Sequence, residues 1–150
     1  MRATAFRVPA ALLAIVLFAG ACSDTVSDEA AADVLARCED VPQATLDLIE
    51  TGLTIGDGTL SNAAAVETAY EAPIWVIGAQ VNGEGFEGDQ YIGIWVVAEG
   101  IEVDGITDVA AADDFTSGIS TWGEDLWFEA SGLLDGVSAA GACVIAQQKG

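Results

Sequence analysis

The chain has 150 residues, enough for one domain of ordinary size. It holds 24 Asp and Glu against four Lys and Arg, and its formal net charge is −20. A surface of that sign repels phosphate, which argues against nucleic acid as a partner. The chain contains no histidine, so Ser-His-Asp and Cys-His catalytic sites are excluded.

Residues 1–21 have the features of a secretory signal peptide. Arg2 and Arg7 give a positively charged start, and an apolar run over residues 10–19 follows, with two small residues after it. This order predicts an export signal that is removed from the mature protein. The run is too short for a membrane-spanning helix, which needs about 20 apolar residues.

The signal ends in the motif Ala19-Gly20-Ala21-Cys22. This motif resembles the lipobox of bacterial lipoproteins, in which the cysteine is acylated and becomes the first mature residue. The motif departs from the family pattern at Ala19, where leucine is more usual. The resemblance implies that Cys22 carries a lipid anchor and that residues 22–28 are the lipidated cysteine and a polar tether. The alternative is an ordinary cleavage site with a chance cysteine beside it.

The three cysteines fit this reading, since an odd count in an exported chain leaves one to be explained. If Cys22 carries lipid, Cys38 and Cys143 remain and can form a disulfide in the oxidising envelope. The alternative of two buried free thiols stays open. Metal binding by two cysteines without histidine is disfavoured.

Residues 29–150 are predicted to form a single acidic domain, and helix signals occur at both of its ends. Asp28 and Glu29 followed by residues 30–36 read as a helix start, and a second helix is predicted over 42–51. In the second helix, Leu46, Ile49 and Leu53 follow helical spacing.

The C-terminal helix is predicted over residues 133–146. Its apolar stripe is expected to contain Leu134, Val137, Gly141 and Val144, with Cys143 beside it.

Strand signals occupy the middle of the domain. Residues 74–81 and 91–98 are rich in β-branched and aromatic side chains, and the glycine-rich loop 82–90 separates them. Residues 63–70 are ambiguous between strand and helix and are assigned to a strand. A fourth short strand is expected around 106–109.

Symmetric pairing about the loop would make both faces of the central hairpin largely apolar, so helices should cover at least one face. The predicted fold class is α+β. It consists of a small antiparallel sheet of three to five strands with flanking N- and C-terminal helices, joined by the disulfide.

Acidic residues in the hairpin loop suggest a weak calcium site. Asn82, Glu84, Glu87 and Asp89 lie in one flexible loop, and Asp104 and Asp108 in the next. Neither stretch has the spacing of the twelve-residue helix–loop–helix calcium site. A solvated acidic loop is the favoured alternative, and no cofactor is expected.

Aromatic residues are candidates for contact with a ligand or partner. Tyr91, Trp95, Trp122 and Trp127 could line a surface for a sugar, a peptide or a protein. The alternative is that they belong to the hydrophobic core.

These features favour a membrane-tethered, extracytoplasmic and non-catalytic binding domain with an acidic surface. Its partner would be a cationic protein or peptide, or a component of the envelope, and the membrane would be contacted through the lipid. One alternative is an accessory or inhibitory protein that blocks an envelope enzyme through residues 82–90. A less favoured alternative is a hydrolase that uses two carboxylates.

Overall fold

The structure, a computed structural model, describes residues 28–68, 73–106, 108–123 and 130–149. The signal, Cys22 and most of the tether lie outside this range. The helices are α1 (Asp28–Leu35), α2 (Gln43–Glu50), α3 (Asp114–Gly118) and α4 (Ala130–Gln148), with a 3₁₀ turn at Val103–Gly105. The strands are β1 (Glu39–Asp40), β2 (Thr59–Glu67), β3 (Ile74–Asn82), β4 (Ile92–Ala98) and β5 (Asp108–Ala111). No helix in the described ranges is long and apolar enough to cross a membrane.

The five strands form one antiparallel sheet in the order β1-β2-β3-β4-β5. The predicted α+β class, with helices before and after the sheet, is confirmed. The central hairpin has the symmetric register expected from the sequence, since Trp75 pairs with Val97 and Ile77 with Trp95. This register works because strand side chains alternate between faces and the loop centre fixes which residues are opposite.

Both faces of the sheet are covered, and a separate apolar core lies against each. On one face, α2 and the loops near it enclose Leu46, Ile49, Leu60, Ala65, Ile77, Ala79, Val81, Trp95, Val97 and Ile119. On the other face, the core that includes α4 contains Ala64, Val66, Ile74, Val76, Ile94, Val96, Ala139, Ala140 and Cys143. The domain therefore has three layers, with the sheet in the middle.

The contact between α4 and the sheet is made by small residues. A Cβ on Gly136 would lie 2.8 Å from Val76 Cγ2, and one on Gly78 would lie 3.0 Å from the carbonyl oxygen of Ala140. Ala139 is also buried in this contact. The helix backbone therefore approaches the strands more closely than larger side chains would permit.

The predicted stripe on the C-terminal helix was partly wrong. Leu134 is 63% exposed, whereas Gly136, Ala139, Ala140, Cys143 and Val144 are buried. The prediction followed helical spacing from Leu134. The observed face follows residue size, because the close approach to the sheet leaves no room for leucine.

Cys38 and Cys143 form a disulfide, with their Cα atoms 5.8 Å apart. The bond joins the segment after α1 to α4 and closes a chain separation of 105 residues. Arg37 adds an ion pair with Asp135 of α4, at 2.6 Å. An exposed ion pair contributes only about 0–1 kcal/mol, so the covalent bond is the stronger link.

Strand β2 resolves the ambiguous segment, since the described part of residues 63–70 is strand that begins earlier, at Thr59. Its register with β3 shifts between Ser61 and Ala64, and Asn62 has a φ of 46°. Asparagine tolerates that left-handed conformation better than most residues, and a bulge uses it to bend the strand. The run of alanines there obscured the strand pattern.

Strand β1 pairs with only a short part of the outer edge of β2, at Ala64 and Ala65. Elsewhere on β2, side chains form hydrogen bonds with backbone groups that β1 does not reach. Glu50 accepts a hydrogen bond from the Leu60 N–H at 2.6 Å, and Gln147 donates to the Ala63 carbonyl at 3.3 Å. Helices from both sides of the sheet thus reach this edge.

The fourth predicted strand exists but is displaced. It was expected around 106–109 and lies at Asp108–Ala111, because the 3₁₀ turn occupies Val103–Gly105 just before it. At the outer edge of β5, the Ala111 N–H donates to the Gly123 carbonyl at 3.2 Å.

We expect Gly136→Ala to lower the free energy of unfolding. Overpacking against Val76 costs about 1–3 kcal/mol, which exceeds the helix-propensity gain of about 1 kcal/mol. The matched control is Gly141→Ala in the same helix, where a Cβ would have nothing within 4 Å. The control should be neutral or more stable than wild type in urea denaturation. Equal stability of the two variants would contradict the close contact.

Cys38→Ser should lower the free energy of unfolding by about 4–5 kcal/mol, because a loop of about 100 residues is no longer closed in the unfolded chain. Urea denaturation measures this loss. Cys143→Ser should have the same effect, and the double variant should lose no more than either single one. Rapid alkylation of both thiols in the native wild-type protein would refute the bond.

Candidate functional site

A surface groove of about 220 Å³ lies on the α2 side of the sheet. It is lined by Leu48 from α2, Ile106 after the 3₁₀ turn, Asp108 and Val109 from β5, and Trp122. Four of the five lining side chains are apolar. The lining comes from three separate parts of the chain, around residues 48, 106–109 and 122, which the fold brings together.

Trp122 is fixed in place by several bonds. Its indole Nε1–H donates to the Ile49 carbonyl at 2.9 Å, and its ring lies so close to Gly52 that a Cβ there would overlap it. The segment just before Trp122 is bonded to the segment around Gly52, because Thr54 N–H donates to the Ile119 carbonyl at 2.8 Å and Thr121 N–H donates to the Gly52 carbonyl at 2.7 Å. The aromatic wall of the groove is therefore preorganised.

One carboxylate, that of the exposed Asp108, lines the groove. Asp47 and Asp104 are also exposed and lie close in sequence to the lining residues Leu48 and Ile106, and Asp47 accepts a hydrogen bond from Gln43 at 2.8 Å. Two of the chain's four basic residues, Arg2 and Arg7, belong to the predicted signal, and the other two are Arg37 and Lys149.

These two remaining basic residues belong to the opposite layer of the domain. Arg37 pairs with Asp135 of α4, and Lys149 follows the end of α4. In the part of the chain that the structure describes, the elements around the groove thus contribute acidic groups and no cation.

The hairpin loop 82–90 is a second surface feature, and aromatic residues anchor it. The ring of Phe86 meets Tyr91 edge-on with centroids 5.2 Å apart, and Tyr91 stacks on Phe115 at 6.4 Å. Gln80 donates to the Gly88 carbonyl at 3.2 Å, and Gln148 of α4 donates to the Asp89 carbonyl at 2.8 Å. The loop is thus held at its base, its centre and its end.

The structure does not bring the calcium candidates together. Asn82 donates through Nδ2 to Ser61 Oγ at 2.9 Å, so its amide is engaged with β2. Glu84, Glu87 and Asp89 are exposed around the loop. Across the described residues, no group of three or more Asp, Glu or Cys side chains is arranged to hold a metal ion, and this includes Asp104 and Asp108.

The aromatic candidates have different positions. Trp122 lines the groove and is half-buried, and Tyr91 is half-buried in the aromatic cluster at the loop. Trp95 is 0% exposed in the core, which is the alternative predicted from the sequence for the aromatic candidates. Trp127 lies outside the described residues.

Trp95 is buried because the face of the hairpin that carries it is covered by α2 and the nearby loops. Its ring lies over Gly93 on the same face, where a Cβ would overlap it. Its Nε1 has no hydrogen-bond partner among the described residues. The alternation of side chains along the strand predicted which face of the hairpin carries Trp95. It did not predict that α2 and the nearby loops cover that face.

Sequence reasoning missed most of the groove. Leu48 is not part of the apolar stripe predicted for the second helix, and Ile106 and Val109 fall in the predicted fourth strand without a role. One signal was present, because Leu48 is an apolar residue off the buried stripe and helical spacing directs it away from the core.

Comparison of this chain with protein-family models, curated proteins and solved structures found no match. The groove, the loop and the distribution of charge are the features of the domain that bear on its function.

Gly52→Ala should displace the Trp122 indole, because the added methyl group occupies the position of the ring. We expect the ¹⁵N–¹H indole resonance of Trp122 to move upfield and its exchange with solvent to accelerate as the bond to Ile49 is lost. Gly118→Ala is the control, since a Cβ there has nothing within 4 Å. An unchanged Trp122 resonance in Gly52→Ala would show that the ring is not fixed this way.

Proposed function

We propose that the protein is a lipid-anchored, extracytoplasmic binding domain that performs no catalysis and uses its acidic surface to engage a cationic partner. The observation that carries this proposal is the excess of exposed carboxylates over the domain, together with the position of its two basic residues away from the groove. The exposed Asp108 lines the apolar groove, whereas Arg37 and Lys149 lie with α4. Complementary charge steers such encounters and selects partners of opposite sign.

The disulfide supports the proposed location. Cys38 and Cys143 are bonded to each other, which leaves Cys22 as the third cysteine of the chain. Disulfides persist in oxidising compartments outside the cytoplasm. Acyl chains on Cys22 would give stable anchoring, since each buried methylene contributes about 0.8 kcal/mol.

The absence of catalysis is proposed from the residue types. The chain has no histidine, and its disulfide removes two of its three thiols. A binding role therefore explains the preorganised groove without requiring catalytic residues.

One observation favours a second candidate, an accessory protein that inhibits an envelope enzyme. The loop 82–90 is held by Phe86, Gln80 and Gln148 while Glu84 and Glu87 remain exposed. A loop that is already ordered loses little entropy on binding, and this is what an inhibitory loop needs.

The test of the proposed function is crosslinked affinity capture of the full chain from its native membranes, at low and at high salt. We expect a specific partner with a basic surface to be enriched at low salt and lost at high salt, because screening weakens exposed charge pairs. Recovery of the protein with lipid alone at both salt concentrations would contradict the proposal.

Cys22→Ala is the control for anchoring. This variant should leave the membrane fraction while it still captures the partner, because the binding surface belongs to the domain and not to the lipid. Its continued tight membrane association would refute the lipid anchor. Shortening the loop 82–90 distinguishes the two candidate functions. The change should abolish capture of the partner only if the loop is the part that binds it.

A further inference from the structure

We infer that the groove receives the side chain of one arginine or lysine from a partner protein, with the aliphatic stem between apolar walls and the charged end over Trp122 near Asp108. This inference rests on the proposed function and identifies where a cationic partner would bind. It draws on the size of the groove, its lining and its charge.

The groove is large enough for one side chain and smaller than the usual site of a drug-sized ligand. Sites for drug-sized ligands occupy about 300–1,000 Å³, and this groove is smaller, at about 220 Å³. A single side chain inserted into a pocket is a common way for a protein partner to anchor itself. The occupant is therefore expected to be part of a larger molecule.

The lining selects a side chain that is apolar along its stem and positive at its end. Leu48, Ile106 and Val109 provide aliphatic contact. The indole of Trp122 can attract a cation over its face, an interaction of about 0.5–2 kcal/mol depending on solvation. Arginine and lysine are the two side chains that combine a long methylene stem with a permanent positive charge.

The rigidity of Trp122 strengthens this assignment. The indole is held by Ile49 and by contact with Gly52, so it does not have to be ordered when the partner arrives. Aromatic side chains that are fixed before binding are typical anchors of protein interfaces. The lining residue Asp108 and the strongly negative net charge of the chain favour a positive end over an acidic one.

The experiment measures binding of a fluorescent hexaarginine peptide to the full-length lipidated protein in a neutral detergent. The uncharged isostere hexacitrulline is the control peptide. In the test variant, Leu48→Lys, a lysine stem lies at the groove wall and a positive charge at its entrance. In the matched variant, Leu134→Lys, the same charge is added to a 63% exposed leucine on α4.

Wild type should bind hexaarginine and not hexacitrulline. Leu48→Lys should weaken the binding about tenfold or more, whereas Leu134→Lys should weaken it less than about threefold, because only the first occupies the groove. Equal losses in the two variants would overturn the groove assignment while leaving the proposed cationic partner intact. Equal binding of the two peptides would overturn it as well, in favour of a neutral occupant.

A measurement on the wild-type protein does not depend on how the variants fold. Addition of hexaarginine should shift the indole resonance of Trp122, which is identified by its loss in Trp122→Phe. A shift confined to other resonances would place the peptide elsewhere and refute this inference. If hexaarginine does not bind at any salt concentration, this inference is refuted, and so is a surface that binds cationic peptides in general. Capture from membranes would still test whether a specific partner exists.

Discussion

The close contact between α4 and the central strands is the constraint on which the remaining structure depends. Gly136 and Gly78 remove the side-chain bulk that would otherwise hold the helix away from the sheet. The helix can then bury its narrow face on β2 and β3, and the disulfide from Cys143 to Cys38 fixes the segment after α1 beside it. With one face of the sheet closed in this way, the other is covered by α2 and by loops, which are the parts of a fold that most often carry binding sites.

The two layers consequently differ in character. The α4 layer is a regular helix packed on small residues and linked covalently, whereas the α2 layer is assembled from short segments around Trp95 and Trp122. Segments of that kind create depressions between them, and the groove beside Trp122 is such a depression. The charges follow the same division, with the Arg37–Asp135 pair on the α4 side.

The parts of the fold that sequence could predict were those with a strict period. The alternation in β3 and β4 gave the pairing of Trp75 with Val97, because a strand places every second side chain on one face. The buried face of α4 was partly missed, since hydrophobicity ranks leucine above glycine while close packing reverses that order. The groove was missed because it joins residues from α2, β5 and the segment after α3, and no local pattern records such a juxtaposition. The pairing of Cys38 with Cys143 was inferred from the odd number of cysteines together with the lipobox resemblance, which assigns Cys22 to the lipid.

The edges of the sheet have a consequence for a protein that is concentrated on a surface. A lipid anchor would confine neighbouring copies to two dimensions, where exposed strand edges tend to pair and nucleate aggregates. Here the bulge at Asn62 bends the outer part of β2, and Glu50 and Gln147 occupy backbone groups beyond β1. On the opposite edge, Gly123 accepts the N–H of Ala111. These contacts leave fewer unpaired backbone groups at the edges, so crowded copies of a lipid-anchored chain would pair strand to strand less readily, and their exposed carboxylates would repel one another.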